Sequence, residues 1–222
     1  MKIISDFRLF EAEDSAKPSD SPKRSERLLT DAQRHYEESK DEEQSGPSPA
    51  MLFTDVVGSS KMWSEDPKTM DVQITKHFDL MDGLARKRGG FVVKTIGDAF
   101  MIYFPKSEDS LKKAVEFAVE VHKAEQLPLR IGICTGKLRA KKCRVQNVEL
   151  LDFFGDVVNT ASRMESKVSE PGGIAFTSVD DIEDQIEQIS KKYGDRLVRI
   201  EKAGLPNLKG VDVPFAYRLR IK

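Results

Sequence analysis

The sequence predicts an α+β sandwich with a β-α-β-β-α-β core and a C-terminal extension. Three observations carry this reading. Strand-like and helix-like hydrophobic periods alternate from residue 50 onward, two β-rich runs flank a Gly97-Asp98 pair, and amphipathic helical stretches fall between the strands. With 222 residues, 39% of them hydrophobic, the chain can bury one good-sized core and carry an appendage.

The elements follow in order. Met51-Leu52-Phe53 leading to Asp55-Val56-Val57 reads as a short buried strand, and Met70 to Arg88 has helical periodicity that Gly89-Gly90 stops. Residues 91–96 and 99–104 are β-rich runs around Gly97-Asp98, which makes them a hairpin, because glycine takes the positive φ of a two-residue turn. Ser107 is the expected N-cap of a helix running to about Gln126, with Leu111, Ala114, Val115, Ala118 and Val121 on one face. Leu129 to Cys134 is a strand, Asp156 to Lys167 a helix and Gly173 to Thr177 a strand. A helix over Ile182 to Lys191 and strands near Leu197 to Glu201 and Phe215 to Arg220 complete the chain. This order is that of a ferredoxin-like sandwich, with helices on one face of a largely antiparallel sheet.

Composition breaks near residue 50. Residues 1–49 hold eight Lys+Arg, twelve Asp+Glu, four Pro and eight Ser, and read as a flexible or regulatory N-terminal segment where an unidentified regulator would act. Within it, Leu28 to Gln44 is a candidate polar helix, and Ser45 to Pro49 is a linker. The whole-chain net charge of -1 supplies no electrostatic footprint for nucleic acid. No apolar run approaches the roughly eighteen residues of a membrane span, and Met1 to Asp14 has no secretory h-region. Cys134 and Cys143 lack metal or redox spacing and read as packing residues of a reduced, cytoplasmic chain.

Two carboxylates interrupt apolar, strand-forming contexts: Asp55 after Leu52-Phe53-Thr54, and Asp98 at the hairpin turn. A carboxylate there is costly unless paired or metal-bound. If the strand at 51–57 lies beside the 91–104 hairpin, the two converge at one sheet end and can hold divalent cations through hard oxygen ligands. Taken singly, Asp98 reads equally well as a turn residue and Asp55 as a cap of the next segment. Gly58 and Ser59 open a small-residue turn whose backbone N–H groups suit phosphate oxygens. Asn159 and Arg163, four apart, share one helical face and suit a negatively charged reacting group, although a solvated polar face has the same pattern.

In combination, Phe53-Thr54-Asp55-Val56-Val57-Gly58, Lys94-Thr95-Ile96-Gly97-Asp98-Ala99-Phe100-Met101, Arg130 to Gly136 and Phe154 to Ser166 resemble the catalytic domain of class III nucleotidyl cyclases, the adenylyl and guanylyl cyclase family. The resemblance covers roughly residues 50–222 and leaves residues 1–49 outside. It implies the class III cyclase fold, with Asp55, Asp98 and the Val56 carbonyl binding two Mg²⁺ or Mn²⁺ ions per site. It further implies that Asn159 orients the ribose, that Arg163 neutralises charge at the α-phosphate, and that Arg130 and Lys209 grip the β and γ phosphates. Lys209, in a short motif, reads also as a surface lysine. Cys134 stands where the family often has His, and Arg139 to Asn147 is more polar and basic than the usual connecting segment.

The family positions that read the base fall on Lys94 and Asp152. Lys supplies a donor and Asp an acceptor, which match N1 and the 6-amino group of adenine and mismatch guanine. The resemblance therefore implies an adenylate cyclase that converts ATP to 3′,5′-cyclic AMP and pyrophosphate. Metal-binding and base-reading residues come from opposite subunits of a head-to-tail pair in the family, so a chain carrying both halves implies a homodimer. The alternatives are a guanylate or other nucleotide cyclase, and a catalytically silent nucleotide-binding or dimerisation module.

Overall fold

Central position is written into the first strand. In β1, Ala50–Val56, residues 50–52, Thr54 and Val56 are buried, so both faces of the strand are covered. The computed structural model describes residues 47–145, 148–178, 182–205, 208, 209, 211 and 213–221. The N-terminal segment, including the expected helix at Leu28 to Gln44, lies outside the described residues.

Two helices follow β1: α1 (Ser59–Glu65) and α2 (Pro67–Lys87). The second starts three residues earlier than its apolar periodicity predicts, because Asp66 caps it. The Asp66 carboxylate accepts from Thr69 N at 3.1 Å and Thr69 Oγ1 at 2.6 Å, and Pro67 takes the first helical position. Next come β2 (Phe91–Ile96) and β3 (Ala99–Phe104), joined by the expected two-residue turn, in which Gly97 has φ 62°.

The following helix, α3, spans Ser110–Ala124 and not Ser107 to Gln126. Ser107 does not cap it. The Ser107 carbonyl accepts from Ser110 N in a preceding turn, and Asp109 occupies the cap position without a side-chain bond. The predicted apolar face is buried as expected. Glu116 is buried as well, tied to Arg88 at 2.5 Å and to Lys192.

Strand β4 (Leu129–Thr135) leads into a ribbon of β5 (Arg139–Val145) and β6 (Val148–Phe154), which forms its own two-stranded sheet. The sequence reading has no strand here. Arg139, Lys141, Lys142 and Arg144 are all exposed, so the ribbon never acquires the alternating apolar pattern that marks a half-buried strand. Cys143 is partly exposed on it, whereas Cys134 is buried. The expected helix from Asp156 divides into α4 (Asp156–Arg163) and one π-helical turn (Met164–Val168). After β7 (Gly173–Ser178) come α5 (Glu183–Leu197), interrupted at the non-helical Gly194, then β8 (Val198–Gly204) and β9 (Phe215–Ile221).

The seven-stranded sheet has the order β2-β3-β1-β4-β7-β9-β8. Its first four strands, with α2 and α3, form the ferredoxin-like unit, all antiparallel, and the extension adds one parallel pair, β4–β7. Ala50, Leu52, Ile102, Phe104, Ile131 and Phe176 face a core shared with α2, α3 and α5. Both helices of the central unit thus lie on one face, as expected. The extension covers the other face: Met51, Met101, Tyr103 and Cys134 pack against Leu151 and Phe153 of β6 and Val157 and Ala161 of α4.

The second layer depends on one close approach. A Cβ on Gly132 would come within 2.0 Å of Glu165 N and 2.3 Å of Ala161 O, so only glycine lets α4 and the π-turn sit directly on β4. Replacing Gly132 with Ala is therefore expected to lower stability by about 3 kcal/mol or more, since backbone would have to move. The urea midpoint of the variant against that of the parent measures this.

Candidate active site

The pairing of β1 with its two neighbours builds the site. Asp55 stands directly opposite Arg130 in the β1–β4 register, and the β1–β3 register ends at Thr54 opposite Phe100, two residues after Asp98. Adjacent strands lie about 4.8 Å apart, so Asp55 and Asp98 share one end of the sheet, as the sequence reading requires. The corner is tied across the strands, since Phe100 N donates to Thr54 Oγ1 at 3.1 Å.

The two carboxylates have different surroundings. Asp55 Oδ2 accepts from Arg130 Nη2 at 2.5 Å, and the pair is about one-third exposed. Asp98 Oδ2 is buried with no hydrogen-bond partner among the described residues. A buried carboxylate oxygen left unmatched is expensive, and a hard divalent cation is a natural partner for it. Class III cyclase domains use divalent metal ions, and the donor set at this corner fits such an ion: two carboxylates with the Val56 main chain beside Asp55. Among the described residues, no group of three or more His, Cys, Asp or Glu side chains is placed to hold a metal.

Arg130 has a second anionic neighbour that the sequence reading missed. Glu165, in the π-turn, lies 3.0 Å from Arg130 Nε as an ion pair without hydrogen-bond alignment. Glu165 is buried, and its carboxyl is pushed up to about 7, chiefly by that burial, with the positive charge of Arg130 opposing the rise and nearby Asp55 adding to it. Its only sequence signal is a position two residues after Arg163, on a turn whose π geometry rotates it inward.

The base-reading candidates meet. Lys94 on β2 and Asp152 on β6 are 58 residues apart, yet Lys94 Nζ donates to both Asp152 oxygens, at 2.8 and 2.6 Å. Asp152 Oδ1 also accepts from Phe153 N at 2.9 Å, which holds the carboxylate in place.

The remaining predicted residues stay separate. Asn159 and Arg163 are exposed on α4 and share a face, with no side-chain hydrogen bond or ion pair among the described residues to Asp55 or Asp98. Gly58, with φ 75°, and Ser59 open α1 just after β1. Lys209 is exposed in a turn whose neighbours 207 and 210 lie outside the described residues. A cleft of about 700 Å³ between α2, α3 and α5, lined by Lys87, Arg88, Glu116 and Lys192 among others, contains none of these residues. No helix among the described residues is long and apolar enough to cross a membrane.

Comparison with known proteins agrees with the fold. Residues 42–193 match the family described as the adenylate and guanylate cyclase catalytic domain. An adenylate cyclase of Podospora anserina is 30% identical over 153 residues, covering 58% of this chain and 7% of that protein. A receptor-type guanylate cyclase of Caenorhabditis elegans is 29% identical over 188 residues, covering 78% of this chain and 16% of the relative. The chain thus spans less than a fifth of the length of these relatives. Among solved structures, the catalytic core of a rhodopsin-guanylyl cyclase with converted specificity, in complex with ATPαS, superposes with a TM-score of 0.63 at 26% identity, covering 80% of this chain and 97% of that one.

The raised Glu165 carboxyl generates a pH prediction. Its folded value lies above the ordinary 4.5, so ionisation costs the folded state: the penalty is absent below pH 4.5, grows with pH, and is complete above about 7. A Glu165→Gln variant, without metal or nucleotide, is expected to gain stability over the parent as pH rises through that window. Denaturation midpoints at pH 4.5 and pH 8 (about one unit above the raised value) check this, and an unchanged difference contradicts it.

Proposed function

Because the chain belongs to the adenylate and guanylate cyclase catalytic domain family, we propose that it converts ATP to 3′,5′-cyclic AMP and pyrophosphate, with residues 50–222 as the catalytic unit. The observation that carries the choice of base is the convergence of Lys94 and Asp152. Released from each other, the ammonium donates to adenine N1 and the carboxylate accepts from the 6-amino group. Guanine would oppose its N1–H to the ammonium and its O6 to the carboxylate, leaving both side chains mismatched.

Asp55, Asp98 and the Val56 carbonyl would hold two Mg²⁺ or Mn²⁺ ions. When bound, these supply Lewis acidity that eases loss of the ribose 3′ proton and offsets the charge of the triphosphate. Asn159 orients the ribose so that its 3′ oxygen faces the α-phosphorus in line with the departing pyrophosphate. A new O–P bond then forms as the α–β bridging P–O bond breaks. Arg163 faces the charge that builds on the α-phosphate, and its permanently charged, planar guanidinium is suited to that task. Arg130 and Lys209 take the β and γ phosphates, with the amides of Gly58 and Ser59 beside them. Arg130 is suited to this role because its guanidinium already lies against Asp55, where phosphate and cation would meet.

Asn159 and Arg163 are exposed and make no hydrogen bond or ion pair with Asp55 or Asp98 among the described residues, which supports a head-to-tail homodimer in which each site draws on both subunits. The second reading, a guanylate cyclase, is favoured by the similarity to the nematode receptor-type enzyme, which extends over 78% of the chain.

Three outcomes follow. With Mn²⁺ and each of the four nucleoside triphosphates, purified protein should form a cyclic product from ATP in preference to GTP, and a preference for GTP would sink the base assignment. Asp55→Ala and Asn159→Ala, each inactive alone, should recover activity on mixing, up to about one-quarter of the parent for random pairing of equal amounts. Failure to recover despite demonstrated heterodimers would refute shared sites. Lys94→Glu combined with Asp152→Cys should shift the ATP-to-GTP ratio of kcat/KM toward GTP by about 100-fold or more.

A further inference from the structure

His77 is the unexplained residue near this corner. It lies on α2, fully buried, with its ring edge-on to Phe100 at 5.4 Å between centroids. A buried imidazole needs partners for both nitrogens. The first is Glu125, just beyond the end of α3, whose Oε2 is 2.6 Å from His77 Nδ1 and whose Oε1 accepts from Gln126 N and Leu127 N at 2.7 and 3.0 Å. The second is the main-chain carbonyl of Asp98, 3.3 Å from Nε2. Because a carbonyl only accepts, Nε2 is the donor of that contact.

We infer that His77, held by Glu125, is a positioning residue for Asp98: it fixes the backbone of the turn so that the Asp98 carboxylate points toward the metal-binding corner. This rests on the assignment of Asp98 as a metal-binding residue. The turn is held from two directions. Phe100 N is tied to Thr54 of β1 on one side, and the Asp98 carbonyl is tied to α2 on the other. Gly97, with φ 62°, contributes no stiffness of its own, so beyond the Ile96–Ala99 pairing that closes the hairpin, the bond on the Asp98 carbonyl itself and the one at Phe100 N hold the Asp98 backbone. A carboxylate with a buried, unpartnered oxygen gains most from such support, because among the described residues no hydrogen bond to Oδ2 orients it.

The test uses the full chain and Mn²⁺ alone, with bound metal read from loss of the free-ion electron paramagnetic resonance signal, and amide hydrogen exchange at residues 97–100 read in parallel. His77→Phe keeps the ring packing and removes both polar contacts. It should weaken Mn²⁺ binding about 10- to 100-fold and speed exchange in the turn. His77→Gln, whose amide reaches toward the Nε2 position, should stay within about threefold of the parent, and His77→Asn, whose shorter amide reaches toward Nδ1, should behave like Phe. A merely structural role would lower the unfolding midpoint and leave the Mn²⁺ affinity of folded protein unchanged. If His77→Phe does not fold, the contrast between Gln and Asn carries the test, and equal affinities for those two overturn the inference. Asp98→Ala separates the two levels. If it loses Mn²⁺ while His77→Phe binds like the parent, the positioning role fails and the metal assignment stands; if it binds like the parent, both fail.

Discussion

The register of β1 between β3 and β4 is the constraint on which the rest depends. Pairing Asp55 with Arg130 and ending the other ladder at Thr54 and Phe100 brings an acid, a base and a second acid to one end of the sheet. A slip by one residue would exchange every side chain of β1 between the two faces, burying Asp55 where Leu52 and Val56 now lie. The apolar pattern that buries β1 on both faces therefore also aims its carboxylate. Core stability and site geometry are one choice here.

Both faces of the sheet serve that corner. The α2–α3 layer supplies the core and holds the hairpin turn through His77. The α4 layer brings Asn159 and Arg163 to an exposed surface and buries Glu165 against Arg130. Its seat on β4 needs Gly132, because backbone atoms of the π-turn occupy the space where a side chain would begin. The Arg130 guanidinium then lies between two carboxylates, Asp55 and Glu165, one about one-third exposed and one buried. A cation in that position keeps two acids close together that would otherwise repel each other in a low-dielectric setting.

The Lys94–Asp152 contact depends on the small ribbon. β6 carries Asp152 over the face of the sheet, with Phe153 stacked on Tyr103 at 4.8 Å between centroids, and that packing sets the carboxylate against the lysine of β2. The ribbon is largely exposed and basic along β5, so its apolar attachment comes from Leu151 and Phe153 of β6, buried in the second core, with the partly buried Ala140 of β5 packed against them.

Much of this was present in the sequence alone. Hydrophobic period and turn chemistry identified β1 to β4, both helices of the central unit, the Gly97-Asp98 turn and the carboxylates at Asp55 and Asp98, because these signals are local: alternation, spacing and a positive φ belong to a few adjacent residues. The resemblance to class III cyclases also pointed to Lys94 and Asp152 as a pair. Only the tertiary structure decided that those two touch across 58 residues, that Ser107 yields the cap position to Asp109, that Arg139 to Val145 is a strand, and that Glu165 turns inward on a π-turn. Each of these is settled by what packs opposite, and a residue's own neighbours in the chain hold no record of the surface that closes over it.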